Sequence, residues 1–398
     1  MFYKIVPIVA LSILSAYSAA AQVPFKYQQT QIPQVQPKDF IQNPQKIQVV
    51  FALDATGSMS GLIQTAKEKI WAIAGSVAQN SQCPTIEIGL LFYRDRGDAF
   101  VTKHVALSQD LDKIYAQLMD IEADGGGDSP ESVNQALYES VHQFQWSKHP
   151  NSYKTIFLVG DCPPHMDYRE VKYPQTCIEA QKRGIVVNTL LMGNDRTAAK
   201  IWKQIAQYTS GSYTQIGMDA NNINTQSPYD EEISKTSEAL DQLRYSYGSE
   251  AEQNAYEQKK NWSKHIAEKA SSASKASRAA YHKTSSGKSS YIGKKELLND
   301  VAENKVDLDK LPSSALPKEL QGLSKTALSQ ELSKKIQLKK QLDQKLDTLL
   351  TKRSDYIKKS LEQKDEASVE NAFETKIYKS MKEQAAKKNI NLAKDTKH

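Results

Sequence analysis

An α/β fold, a doubly wound and mainly parallel sheet followed by an α-helical, partly coiled-coil region, is what this sequence predicts, on three observations. Ile47-Gln48-Val49-Val50-Phe51-Ala52-Leu53 is apolar and rich in β-branched residues, the pattern of a strand buried on both faces, and it runs straight into Asp54-Ala55-Thr56-Gly57-Ser58-Met59-Ser60. From there to Ile216, short apolar runs alternate with segments of helical period. After Met218 the apolar runs stop, and segments rich in Lys, Glu, Ala, Ser and Gln take over.

Each element follows from its pattern. Gly61 to Ala78 carries Leu62, Ala66, Ile70, Ile73 and Val77 at helical spacing, one buried stripe. Ile86 to Tyr93 reads as a second strand and Phe100 to Leu107 as a third, joined through a hairpin at Gly97 that makes one antiparallel edge. Leu111 to Ile121 and Ser132 to Phe144 are helical, with Pro130 just before the second. Tyr153 to Gly160 is an apolar strand ending at Asp161. Ile178 to Arg183, Ile185 to Met192, Ala198 to Tyr208 and Ser212 to Ile216 complete a helix–strand–helix–strand run.

The second half reads differently. Tyr229 to Tyr247 is an amphipathic helix able to return onto the sheet, and Glu250 to His282 is helical with few large apolar groups. Thr284 to Ser290 reads as a flexible break, and Leu311 to Leu323, with two prolines and Gly322, as a turn region. Lys325 to Gln363 is a long helix whose Leu328, Leu332, Leu342, Leu346, Leu349 and Tyr356 fit a heptad seam. Lys335, Lys339 and Arg353 fall on that seam too. A dimeric coiled coil and an internal hairpin with Val369 to Ala386 therefore both remain open.

Lys4, the apolar run Ile5 to Ala16 and the small residues Ala19-Ala20-Ala21 form a secretory signal peptide, too short in its apolar part to span a bilayer. The expected divisions are 1–21 signal peptide, 22–46 Gln/Pro-rich leader, 47–217 sheet domain, 218–228 linker, 229–292 helical extension and 293–398 helical region. The protein is expected to be exported, periplasmic or extracellular. Of the net charge of +6, essentially all lies after Gly217. There the lysines are interspersed with acids, which favours a solvated helix face over a nucleic-acid site and leaves room for contact with an anionic envelope surface. Three cysteines suit an oxidising compartment. Cys162–Cys177 is the preferred bridge, with Cys83–Cys177 as the alternative, and no CxxC spacing suggests zinc.

The chemistry concentrates in three places. Asp54, Thr56 and Ser58 put a carboxylate and two hydroxyls at the carboxyl end of a strand, hard oxygens suited to Mg²⁺, Mn²⁺ or Ca²⁺. Asp124-Gly125-Gly126-Gly127-Asp128-Ser129-Pro130-Glu131 is a glycine-rich acidic loop before a helix. Asp161 ends its strand as Asp54 does, and if the two strands are neighbours both carboxylates open into one crevice.

These three elements resemble a von Willebrand factor type A domain over about Lys46 to Gly217. The resemblance implies a Rossmann-like sheet with one divalent ion at a metal-ion-dependent adhesion site, Mg²⁺ preferred, whose last coordination place is given to a partner's carboxylate. It implies that Thr56 and Ser58 bind the ion directly and that Asp54 and Asp161 act through waters. Thr56 stands where Ser is commoner. Asp128-Ser129-Pro130-Glu131 is similar to the acidic loop of β-integrin ligand-binding domains, which leaves either Asp128 or Glu131 as the direct ligand. Met59, Asp95 and His165 are expected at the rim or just behind the ligands, with Tyr168 a further rim contact. Arg96-Gly97-Asp98 reads as turn chemistry rather than an adhesion tripeptide.

The function expected is therefore that of a metal-dependent, adhesion-type protein-binding module, whose partner is a protein presenting an acidic side chain. No catalytic residue is assigned. The alternatives are a metal-dependent hydrolase using an ion-activated water, with Glu131 or His165 as base, and a structural envelope scaffold that self-associates through its helices.

Overall fold

Strand β1, Lys46–Asp54, is buried at every position after Lys46, and this sets the plan of the domain. The computed structural model describes residues 45–78, 85–127, 129–217, 226–293, 295–363 and 373–392. The signal peptide, nearly all of the leader, Cys83, Asp128 and most of the 218–228 linker lie outside the described residues. β2 (Thr85–Tyr93) and β4 (Tyr153–Gly160) flank β1, both parallel to it. β5 (Ile185–Met192) and β6 (Tyr213–Ile216) extend the sheet beyond β4, also in parallel. β3 (Thr102–Ser108) is the antiparallel edge on β2, so the spatial order is β3-β2-β1-β4-β5-β6.

Because side chains alternate along a strand, β1 feeds two cores. Val49, Phe51 and Leu53 pack with α1 (Ser60–Ala78) and α2 (Leu111–Met119). Val50 and Ala52 pack on the opposite face with α3 (Val133–His142), α4 (Tyr173–Lys182) and α5 (Arg196–Tyr208). Asp110 caps α2 and Asp195 caps α5 through their carboxylates, as expected for Asp before a helix. Leu158 of β4 pairs with Ala52 of β1 across the ladder, and Asp54 comes opposite the end of β4.

The helical half is bound to this domain. It comprises α6 (Asp230–Gln242), α7 (Glu250–Lys269), α8 (Ser272–His282), α9 (Ser285–Ile292), α10 (Leu297–Ala302), α11 (Lys325–Glu362) and α12 (Phe373–Ala386). Ile266 of α7, Tyr281 of α8 and Ile377, Met381 and Ala385 of α12 are buried in the same core as β1, α1 and α2. No helix among the described residues is long and apolar enough to cross a membrane.

Three expectations for this half and one for the sheet domain need correction. The helix expected over Tyr229 to Tyr247 ends at Gln242 and packs on α8 and α11 instead of on the sheet, with Ile233 and Leu240 against Ala276, Ala279, Leu346 and Leu349. The expected break at Thr284 to Ser290 is mostly helix α9: the Thr284 hydroxyl accepts from Gly287 N at 3.1 Å, and the Thr284 carbonyl from Lys288 N. The seam of α11 is used within the chain, Leu328 and Leu332 meeting Leu297, Leu298, Leu316 and Leu320, so it forms neither a hairpin with α12 nor an open coiled-coil face. Its polar members are satisfied as well: Lys339 bonds Glu296 at 2.9 Å and Arg353 bonds Asp230 at 2.7 Å, while Tyr356 is exposed. Finally, Cys162 and Cys177 are free thiols. Cys177 is buried between α4 and the sheet, while Cys162 sits in the loop after β4, its carbonyl held by Trp202 Nε1 at 3.0 Å.

Candidate metal centre

Parallel pairing of β1 with β4 brings the acid-bearing ends of both strands to the same sheet edge, because neither is separated from the other by a third strand. Asp54 is fully buried, and its Oδ1 accepts from Thr56 N at 2.9 Å and from Thr56 Oγ1 at 2.7 Å. That fixes the Thr56 hydroxyl with its lone pairs turned away from Asp54, 3.3 Å from Ser58 Oγ. Ser58 is exposed, whereas Met59 is 1% exposed and packs in the core, so Met59 is not a rim residue.

The glycine-rich loop is tied to the first loop through backbone: Asp124 N donates to Ala55 O at 3.1 Å and Gly57 N to Gly125 O at 3.1 Å. Gly126 has φ +73, and a Cβ there would stand 3.1 Å from Thr56 Cβ, so both conformation and close approach call for glycine. The loop then delivers Glu131, buried to 2%, whose backbone bridges the third loop: Glu131 N donates to Pro163 O and His165 N to Glu131 O. At the end of β4, Gly160 faces Asp54. A Cβ there would strike the Tyr93 hydroxyl and lie 3.0 Å from Asp54 Oδ2.

Three carboxylates thus meet with little to neutralise them. Asp54 Oδ2, Glu131 Oε2 and Asp161 Oδ1 are buried oxygens without a hydrogen-bond partner among the described residues. Burial, reinforced by the charge of Asp161 and Asp98, pushes Asp54 up to about 7 despite the bonds from Thr56. Burial and the charges of Asp54, Asp95, Asp98 and Asp161 push Glu131 up to about 9. Burial raises the neighbouring Cys162 thiol to about 12, with Asp161 adding to the effect.

A second tier of residues holds the loops. Asp95 accepts from Ser132 Oγ at 2.8 Å and Tyr168 Oη at 2.7 Å, and His165 Nε2 lies 3.3 Å from it without hydrogen-bond alignment. The His165 ring stacks on Tyr168 at 3.8 Å, and the Arg96 guanidinium covers the other face of Tyr168 at 3.9 Å. His165 is therefore buried behind the site. Arg94 donates to Ala55 O at 3.0 Å and Glu122 O at 2.8 Å, clamping the first two loops. Asp98, read from sequence only as turn chemistry, accepts from Asp95 N at 3.1 Å and Gly126 N at 3.2 Å. Its role depends on a contact 28 residues away, which no local pattern signals.

Residues 48–222 match the family model of the von Willebrand factor A domain. This part of the chain is a von Willebrand factor A domain. Among solved structures, the chain is similar to the conserved hypothetical protein BatB from Bacteroides thetaiotaomicron, with 15% identity over 43% of this chain and 90% of that one, TM-score 0.33. It is similar to the SpRpn10 VWA domain, with 11% identity over 44% and 89%, TM-score 0.35. A third similar structure is proximal thread matrix protein 1 of the mussel byssus with a zinc-occupied MIDAS motif, with 14% identity over 44% and 43%, TM-score 0.35. No curated protein matches the sequence.

The donors of this von Willebrand factor A domain fit a hard divalent ion. They are all oxygens, two hydroxyls and the carboxylates around them. No three His, Cys, Asp or Glu side chains among the described residues form a cage by themselves. The hydroxyls of Thr56 and Ser58 lie beside Asp54.

Proposed function

We propose that the von Willebrand factor A domain of this chain is a divalent-cation-dependent protein-binding module of an exported protein, holding Mg²⁺ in preference to Mn²⁺ or Ca²⁺. The observation that carries this reading is that the buried Asp54, Glu131 and Asp161 oxygens have no hydrogen-bond partner among the described residues, while Asp54 holds the Thr56 hydroxyl beside that of Ser58. A buried charge without a partner costs several kcal/mol, and a cation removes that cost. Thr56 and Ser58 hold the ion directly, and Asp54, Glu131 and Asp161 bind it directly or through water. The chemistry such an ion supplies is positive charge offered to a carboxylate on a partner protein. Tyr93, Arg94, Asp95, Asp98 and Gly160 keep the loops in register for it.

Thermal melting tests the ion. With Mg²⁺ at a hundredfold excess over its Kd, the stabilisation is about 2.7 kcal/mol. Spread over a folding unit that includes the helical half, that raises Tm by roughly 3–5 °C. Thr56→Ala with Ser58→Ala should abolish the rise while leaving the metal-free melt cooperative; an undiminished rise removes the site. Retention of an envelope protein in Mg²⁺ and its release by chelator tests the binding module. A retained partner indifferent to chelator would instead support a scaffold.

A further inference from the structure

We infer that the outer face of α11 is a docking surface for an anionic lipid bilayer. The inner face of this 38-residue helix is spent on the chain itself, through Leu328, Leu332, Leu346, Leu349, Arg353, Ile357 and Leu361. Outside, Lys334, Lys345, Lys352 and Lys359 are all exposed. They are separated by 11, 7 and 7 residues. Those intervals are close to whole numbers of 3.6-residue turns, so the four lie within about 20° of one line, spread along about 38 Å. Lys345 shares Glu232 at 2.9 Å, and the other three have no acid within ion-pair distance among the described residues. Asp343 and Asp347 are held by Lys283, and Asp355 lies about 60° round from the line.

Two large apolar side chains stand beside this row. Leu338 is 46% exposed and Tyr356 44% exposed. Each lies about 40° from the lysines on the helical wheel. The row calls for an anionic partner by charge. A line of charge along one helix suits a plane, and apolar bodies along one side of it suit the boundary between headgroups and acyl chains, where lysine stems and a tyrosine ring are both at home. A soluble polyanion would give Leu338 and Tyr356 nothing to enter. The face is separate from the cation site and does not depend on it.

Sedimentation of the whole chain with vesicles of phosphatidylglycerol and phosphatidylcholine, against phosphatidylcholine alone, tests this. Binding is expected only to the mixed vesicles. Each lysine near an anionic surface is worth about fivefold, so Lys334→Gln/Lys352→Gln/Lys359→Gln should weaken binding by about a hundredfold. Lys340→Gln/Lys358→Gln, off the row, should weaken it by less than about threefold. Leu338→Gln/Tyr356→Gln should weaken it by about tenfold. Circular dichroism confirms that each variant is folded. Equal loss from on-row and off-row variants, no loss from Leu338→Gln/Tyr356→Gln, or no binding to the mixed vesicles would overturn the proposal.

Discussion

A chain ended at Glu362 should fail to fold its von Willebrand factor A domain. Helix α12 and the residues after it place Ile377, Met381, Ile390 and Leu392 in the core shared by β1, α1 and α2, none more than 7% exposed. Fully burying a side chain of this size contributes about 1.5–3 kcal/mol, so the four together contribute about 6–12 kcal/mol. That equals the whole net stability of an ordinary domain, about 5–15 kcal/mol. The helix also closes a polar network on the sheet. Gln384 Oε1 accepts from Tyr153 Oη at 2.8 Å and Asn188 Nδ2 at 3.0 Å, and its Nε2 donates to Asn188 Oδ1 at 2.7 Å. Gln384→Ala alone should cost about 1–3 kcal/mol, since it takes the acceptor from the buried Tyr153 hydroxyl and one bond from each end of the Asn188 amide, which keeps Thr155 and Ser212. Urea denaturation followed by near-ultraviolet circular dichroism reads both effects. A truncated chain with a cooperative transition and an unchanged midpoint would show that α12 is only an appendage. The matched stretch 48–222 is thus shorter than the unit that folds, because its final covering helix comes from the far end of the chain.

Where the sequence was legible, the signal was local. β1 and β4 announce themselves by apolar runs that end in acids, and parallel pairing sets those two strand ends side by side. Glu131 follows from the glycines before it, whose positive φ values let the loop lie against Thr56. What stayed hidden depends on pairing at long range. The α11 seam identifies a buried stripe but not its partner, which proves to be α6, α8 and α10 of the same chain. Thr284 to Ser290 is poor in helix formers, and there capping by Thr284 and packing on α8 override propensity. Arg278 and Asp112 meet across 166 residues, and neither carries any sequence sign of the other.

Arg278→Met should destabilise the chain by about 3–5 kcal/mol, because it strips the partner from a buried carboxylate. Arg278 is 4% exposed at the junction between α8 and α2. Its Nε and Nη2 reach both oxygens of Asp112 at 2.7 Å, its Nη1 reaches Asp241 at 2.9 Å and its Nη2 also reaches Ser263 at 2.8 Å. Arg244 bonds the other oxygen of Asp241 at 3.3 Å, so two guanidiniums balance two carboxylates. Removing both ends at once, as Arg278→Met/Asp112→Leu, should cost much less than the single change, and a double-mutant cycle in urea measures that coupling. An additive cycle would mean that packing, not charge, joins the helices to the sheet domain. The same cluster gives the chain an acid limit. Burial alone would raise Asp112, but Arg278 and His282 hold it well below its ordinary 3.8, so its contribution is lost only as pH falls beneath that value. His282, stacked on Tyr291 and edge-on to Trp71, is lowered from 6.5 by burial and by Arg278 against the opposing pull of Asp112. The unfolded chain binds that proton first, so this histidine's contribution starts to fall as pH drops through about 6.5, against the gain from Asp54 and Glu131, which the folded chain protonates first. Relative to the unchanged chain, His282→Gln should gain stability as pH falls from about 6.5 to the histidine's lowered pKa, and leave the loss below about 3.8 in place.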